Sequence, residues 1–275
     1  MIESRIRGSA VVVALAALTF SWSLGCAKPD VGVVSGGAPV QPAAGGGTGG
    51  DVANATIAYK AVEVANGATL SGTIRYAGTA PPRAAITVTS DNDFCGQHEI
   101  LAEELIVAQS GGVRNAVVWL EGVTEGKAWP EGDVVQDQAG CVFTPHVVVV
   151  GVNRPLTFAN SDAVVHNVRT FPRENLPLNL SLLAKGHGKP STKSFLFPDE
   201  IKAACDSHKW MGAWIVVRDN PYYAITGDDG SYTIDGVPPG TYTVAYWHES
   251  LERVDKEIEL AAGQARTEDL ELKDR

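Results

Sequence analysis

Short apolar runs separated by turn-forming residues dominate the chain from about residue 56 to its end. The runs are rich in Val, Ile, Thr and Tyr, Gly, Pro, Asn and Asp stand between them, and no long stretch repeats with a helical period. Alternation is clearest at Tyr242, Val244 and Tyr246. Such runs are typical of β-strands with one buried face. We therefore predict an all-β fold of two sandwiches, in a segment long enough for two small hydrophobic cores.

The N-terminus has a different pattern. Arg5 and Arg7 precede an apolar run that is too short to span a bilayer and typical of a signal peptide, here residues 1–25. The run ends in Ser-Leu-Gly-Cys at residues 23–26, which resembles a bacterial lipoprotein processing box, although leucine is usual where Ser23 stands. The resemblance implies that Cys26 is lipidated and begins the mature protein.

Residues 26–55 are rich in Gly, Ala and Pro and lack large apolar periodicity, so we predict a flexible tether. The remaining chain is predicted to contain three parts: an N-terminal β segment over 56–114 that packs on the rest, a metal-binding sandwich over 115–219, and a smaller β module over 220–275.

The net charge of the chain limits the classes of molecule that it is expected to bind. The formal net charge is −10, which disfavours nucleic acid as a binding partner. An acidic surface can instead steer a basic protein towards the chain.

The candidate chemistry lies at Cys205, His208 and Met211, which share one loop between two strand patterns. His166 follows another strand pattern and an Asn-Ser-Asp turn, so a sandwich could bring it to the same end. A thiolate, two imidazoles and one thioether are ligands that bind copper and support one-electron cycling. The alternatives are a zinc site, in which a thioether adds little, and a buried free thiol.

At these residues the chain resembles the cupredoxins, the blue copper proteins that include plastocyanin and amicyanin. The motifs are Phe143-Thr-Pro-His-Val, Leu156-Thr-Phe-Ala-Asn-Ser-Asp with His166-Asn-Val, and the loop from Cys205 to Met211. The resemblance implies one type 1 copper, with His166, Cys205 and His208 in the plane and Met211 axial.

The resemblance further implies that Asn167 braces the ligand loop by hydrogen bonds. Two features depart from the family pattern: Asp206 stands where a small hydroxyl residue is common, and Ala203 and Ala204 replace a run that usually contains an aromatic residue. These departures concern the spectral subtype and the reduction potential.

The other cysteines offer two arrangements. In an oxidising compartment Cys95 and Cys141 are expected to form a disulfide, the arrangement we favour. Alternatively, they form a second metal site with His98 and His146.

Residues 220–275 resemble the carboxypeptidase regulatory-like modules, which are prealbumin-type β-sandwiches. The resemblance rests on Asp229-Gly-Ser-Tyr and Val237-Pro-Pro-Gly-Thr-Tyr. These motifs specify a fold and no activity. Only the later half of such a module is plain, so the strand pattern within residues 68–82 is a candidate for a missing strand.

Three functions follow as hypotheses. The first is a lipid-anchored electron carrier of the bacterial outer membrane, on its periplasmic or surface face, whose partner is a redox protein such as a c-type cytochrome. In this hypothesis Trp210 and Trp214 surround an exposed edge of His208 through which the electron passes. The second is a copper storage or delivery lipoprotein, and the third a surface β-sandwich protein that binds a glycan. We expect no catalysis, because four ligands leave no coordination position for a substrate.

Overall fold

Residues 59–275 are described by a computed structural model of the protein. The predicted signal peptide, the tether, Cys26 and the first residues of the predicted N-terminal β segment lie outside the described residues. Within residues 59–275 no helix is long and apolar enough to cross a membrane.

The described residues form nineteen strands and one short helix, so the all-β prediction is confirmed. In chain order the elements are β1 (Lys60–Ala61), β2 (Ala68–Tyr76), α1 (Asn92–Cys95), β3 (Val117–Glu121), β4 (Glu125–Gly126), β5 (Val134–Gln138), β6 (Phe143–Thr144), β7 (Val147–Gly151), β8 (Leu156–Phe158), β9 (His166–Phe171), β10 (Asn179–Leu182), β11 (Ser191–Lys193), β12 (Asp199–Ala204), β13 (Gly212–Arg218), β14 (Tyr223–Ile225), β15 (Ser231–Val237), β16 (Gly240–Trp247), β17 (Val254–Leu260), β18 (Ala265–Thr267) and β19 (Leu270–Leu272).

The first sandwich contains the predicted ligands. One of its sheets has the strand order β10-β9-β12-β13-β7, and the other has the order β11-β8-β5-β6. Their facing side chains share one apolar core that includes Phe143, Phe158, Val168 and Ile215. Alternate residues of each strand face this core because side chains alternate across a strand.

The second sandwich combines both ends of the described chain. One sheet has the order β14-β3-β16-β17, and the other has β15-β2-β18 with β19 also paired to β2. Strand β2, from the segment considered for a missing strand, pairs with β15 in antiparallel register. Strand β3, which the predicted boundaries assign to the metal-binding sandwich, pairs with β14 and β16. The predicted boundaries themselves remain predictions.

The two sandwiches contact each other through β7 and β13 of the first and β3 and β16 of the second. In β7, Val148 and Val150 face the core of the first sandwich, whereas Val147 and Val149 pack in a third cluster with Trp119 and residues of β13 and β16. This explains why the run from residue 147 to 150 is apolar at every position: both faces of its sheet are buried.

Gly230 shows why a turn motif of the module is rich in glycine. Its φ is +80°, and a Cβ there would lie 2.4 Å from the carbonyl oxygen of Ile74. A larger residue would meet both a strained backbone and a clash. The motif therefore allows the β14–β15 turn to approach β2 closely.

Candidate metal centre

Strand pairing brings the predicted ligands to one end of the first sandwich. His166 is the first residue of β9, and Cys205 directly follows β12. These strands are antiparallel, with Ala204 opposite Arg169, so the start of β9 and the end of β12 lie at the same edge. His208 and Met211 lie in the short loop that joins β12 to β13.

Three donor atoms converge at this edge. His166 Nδ1 lies 2.8 Å from His208 Nδ1, and Cys205 Sγ lies 3.6 Å from the same His208 atom. The three residues form a cluster whose ligand atoms are all within 4.8 Å of one another. Both histidines are 0% exposed and Cys205 is 2% exposed, so solvent does not reach the donors.

Each histidine ring is oriented by a carboxylate on its outer nitrogen. His166 Nε2 lies 2.8 Å from Asp162 Oδ2, and His208 Nε2 lies 2.8 Å from Asp91 Oδ2. An ionised carboxylate only accepts hydrogen bonds, so the ring proton resides on Nε2. A neutral ring then presents its Nδ1 lone pair to the cluster. Carboxylate partners of this kind orient metal-binding histidines and make them more basic.

This arrangement requires a cation among the donors. Two Nδ1 lone pairs 2.8 Å apart repel each other unless a proton or a metal ion lies between them. Two imidazoles and a thiolate at such distances suit copper. The residues present therefore fit a copper ion.

In the absence of a metal ion, a proton on His166 supplies the cation among the donors, and a bound metal would replace it. Burial disfavours the His166 cation, but hydrogen bonding to Asp162 and Cys205 outweighs it and raises the pKa of His166 to about 9. Burial also disfavours the Cys205 thiolate, yet hydrogen bonds from His166, from the Asn167 backbone and from His208 lower the pKa of Cys205 to about 6. A thiolate is the form of cysteine that binds a metal.

Asn167 joins the strand to the ligand loop. Its Oδ1 accepts a hydrogen bond from Asp206 N at 2.6 Å, and its own backbone N–H points at Cys205 Sγ over 3.5 Å. The Asp206 carboxylate in turn lies near the amides of Asn167 and Asn179, at 3.2 and 3.3 Å. Asp206, a departure from the family pattern, thus belongs to the network that holds the loop.

The ligand loop is closed by backbone contacts. Met211 N donates to His208 O at 2.9 Å, and Cys205 N donates to Met211 O at 3.3 Å. Met211 is 2% exposed and packs in the core of the first sandwich. Trp210 Nε1 donates to Cys141 O at 3.0 Å, which ties the loop to the neighbouring segment.

Cys95 and Cys141 are joined by a disulfide next to the cluster. The N–H groups of Gly140 and Cys141 donate to the Asp162 carboxylate, so this segment supports the partner of His166. Cys141, Asp162 and His166 also form a close group, but the sulfur of a disulfide is not a thiolate ligand.

The alternative second metal site with His98 and His146 is not assembled. His98 Nε2 lies 3.1 Å from Gly140 O at the surface. His146 is buried elsewhere, against Glu249.

The expectation of an exposed His208 edge is wrong. The ring is fully buried, because Asp91, directly before α1, covers its outer nitrogen. Trp210 does pack edge-on against His208, with 5.0 Å between ring centroids. Trp214 instead packs against Trp247 at 5.1 Å, in the contact between the two sandwiches.

Sequence reasoning did not identify the two carboxylates. The contact between Asp162 and His166 could have been expected from the sequence, since Asp162 lies four residues before His166 in the same turn. The contact between Asp91 and His208 could not, because the two residues are 117 positions apart.

Several solved structures are similar to part of the chain. A purple cupredoxin from Nitrosopumilus maritimus is 18% identical, with 31% of this chain and all of that chain covered and a TM-score of 0.27. A reduced Cu(I) form of an amicyanin mutant is 20% identical, with coverage of 37% and 98% and a TM-score of 0.29. A Cu-containing nitrite reductase from Thermus scotoductus is 24% identical, with coverage of 34% and 24% and a TM-score of 0.28.

Among curated proteins, a probable rhamnogalacturonate lyase A of Neosartorya fischeri is 25% identical over 167 residues. The match covers 60% of this chain and 27% of that protein. Rhamnogalacturonate lyase A of Emericella nidulans is 26% identical over 113 residues, which cover 41% of this chain and 20% of the lyase. The chain thus spans about a quarter of the length of these relatives. Residues 210–273 match the family described as the carboxypeptidase regulatory-like domain.

Proposed function

We propose that this chain is a type 1 copper protein that carries single electrons between redox partners. The observation that supports this most is the buried convergence of His166 Nδ1, His208 Nδ1 and Cys205 Sγ, with each outer histidine nitrogen held by a carboxylate. His166, His208 and Cys205 would hold the copper together with Met211, and the bound ion would supply a one-electron Cu(I)/Cu(II) couple.

The protein residues keep the site rigid between the two oxidation states. Asp162 and Asp91 fix the ring orientations, while Asn167 fixes the approach of the thiolate. Rigid ligands reduce the rearrangement that accompanies each electron transfer. The same rigidity favours electron transfer over storage or delivery, which require the metal to leave.

We further propose that the site performs no catalysis. Its donors are buried and both outer ring nitrogens are occupied by carboxylates, which leaves a substrate no approach. Trp210 is partly exposed and contacts the His208 ring, so it is our candidate for the path of the electron to the surface.

We also propose a cellular location and a class of partner for this chain. A signal peptide, lipidated Cys26 and a tether would place the folded part near a bacterial membrane, where it could meet a partner such as a c-type cytochrome. The net charge of −10 favours a basic partner and an encounter rate that falls with salt.

The visible absorption spectrum of the copper-loaded chain tests the proposal. We expect an intense thiolate-to-copper band that disappears in Cys205→Ala and persists in His187→Ala, a histidine in an exposed loop outside the site. Copper binding without such a band would refute the electron carrier and favour storage. Rapid transfer of Cu(I) to an acceptor protein would favour delivery.

A second candidate function is glycan binding by the β module. The partial similarity to rhamnogalacturonate lyases favours it. Retention of a rhamnogalacturonan oligosaccharide by both the parent chain and Cys205→Ala would support this function, and absence of binding to either would reject it.

A further inference from the structure

A small cavity lies between the ligand loop and a buried histidine outside the copper cluster. It measures about 40 Å³. Met211 forms part of one wall of the cavity. The polar residues that line the cavity are His146, Glu103, Glu104, Glu249 and Lys202. A space of this size holds a single ion with one or two water molecules.

His146 presents one unused nitrogen to this cavity. Its side chain is 6% exposed, and its Nε2 is hydrogen-bonded to the Glu249 carboxylate. Glu249 is itself held by Trp214 Nε1, which donates to Oε2 at 2.7 Å. The carboxylate therefore places the ring proton on Nε2 and leaves a lone pair on Nδ1. Among residues 59–275, no hydrogen-bond partner reaches Nδ1.

The spacing between His146 and Glu103 suits a bridging ion. Nδ1 lies 3.7 Å from Glu103 Oε2, which is too long for a hydrogen bond. Two ligands bound at about 2.1 Å around one tetrahedral ion are separated by about 3.4 Å. A metal ion between the two atoms thus requires only a small movement of the Glu103 side chain.

The local charge favours a divalent cation. Three glutamates and one lysine line the cavity, which leaves two negative charges when His146 is neutral. Although burial lowers the pKa of His146, Glu249, Glu103 and Glu104 together raise it above its usual value. The field that stabilises a proton on this ring also attracts a metal ion.

We propose that His146 Nδ1 and Glu103 bind a divalent transition-metal ion of the Zn²⁺ type, with Glu249 as the positioning residue of His146 and Glu104 adding negative charge to the cavity. One imidazole nitrogen and one carboxylate suit Zn²⁺, and water completes the coordination. The site is separate from the Cys205 cluster and does not depend on copper. Because Met211 shares the cavity wall, an ion here would restrain the loop that contains His208.

Calorimetric titration of the full chain with Zn²⁺ tests this site. Every protein in the test carries Cys205→Ser, which removes the thiolate of the copper cluster. We expect one saturable Zn²⁺ site, with affinity reduced at least tenfold by Glu103→Gln and by His146→Gln. Glu131→Gln, which removes an exposed acid away from the cavity, should bind as tightly as the parent.

A thermal unfolding scan with and without Zn²⁺ supplies a second measurement. An ion that binds only the folded chain raises Tm, and the rise should vanish in Glu103→Gln. Absence of saturable binding, or equal binding in the parent and both cavity variants, would overturn the proposal. Neither result bears on the thiolate-to-copper band of the unmodified chain, so the two proposals fail independently.

Discussion

Asp91 is predicted to tune the reduction potential of the copper site through His208. Its carboxylate lies 2.8 Å from Nε2 and favours the more positively charged oxidised state. Asp91→Asn retains a hydrogen-bond acceptor for the ring but removes the charge. The potential should therefore rise.

The structure sets the size of this rise. Asp91 has 47% of its side chain exposed, so the dielectric constant of water is the appropriate one. Two unit charges 2.8 Å apart in water interact by about 1.5 kcal/mol. A tenfold change in equilibrium constant, or 1.4 kcal/mol, corresponds to about 59 mV for one electron. The 2.8 Å joins the carboxylate to the ring nitrogen, and the copper would lie on the far side of the ring, so this energy is an upper value and we expect a rise of about 30–60 mV.

Spectroelectrochemical titration at low ionic strength measures the change. Asp93→Asn is the matched control, because it removes the same charge from the same helical segment and Asp93 forms no ion pair with His208. An unchanged potential in Asp91→Asn, or an equal rise in both variants, would show that the contact with His208 does not set the potential.

Three further outcomes are expected. Asn167→Ala should lower copper affinity about tenfold and shift the thiolate band, measured against a competing chelator, whereas an unchanged band would refute a bracing role. Replacing Cys95 and Cys141 with alanine should lower the free energy of unfolding by about 2–4 kcal/mol in urea titrations, and a smaller loss would mean that the bond constrains little. Burial lowers the pKa of His248 to about 4, so the unfolded chain binds a proton first as pH falls below about 6.5. Relative to His248→Asn, the parent should therefore lose about 2 kcal/mol of stability between pH 7 and 5 in urea titrations, and parallel pH profiles of the two proteins would contradict this prediction.

The sequence predicted those features that depend on local pattern. Period-two runs indicated strands, and the loop from Cys205 to Met211 lies between β12 and β13 as expected. The spacing of soft ligands likewise pointed to His166, Cys205 and His208, which the structure brings together. The strand inferences required only neighbouring residues, whereas the inclusion of His166 depended on the Asn-Ser-Asp turn before it and on the resemblance to cupredoxins.

Features that depend on distant pairing were not predictable in this way. No local signal connects Asp91 with His208, and an Asp before a short helix is usually a solvated residue. The continuous apolar run at β7 was equally ambiguous, because an isolated strand pattern does not reveal which sheet covers its second face. His146 and Glu103 are likewise 43 positions apart, and only the fold places them beside one cavity.

The pairing of β2 and β3 with strands near the C-terminus affects the order of folding during synthesis. The ligand-bearing sandwich has all its strands once β13 has been made, whereas β2 and β3 must wait for β14 to β19. The middle of the chain can therefore fold on the ribosome while an early strand, β2, remains unpaired and prone to aggregation. A chain truncated after Arg218 would keep the ligands but leave the apolar faces of β2 and β3 uncovered.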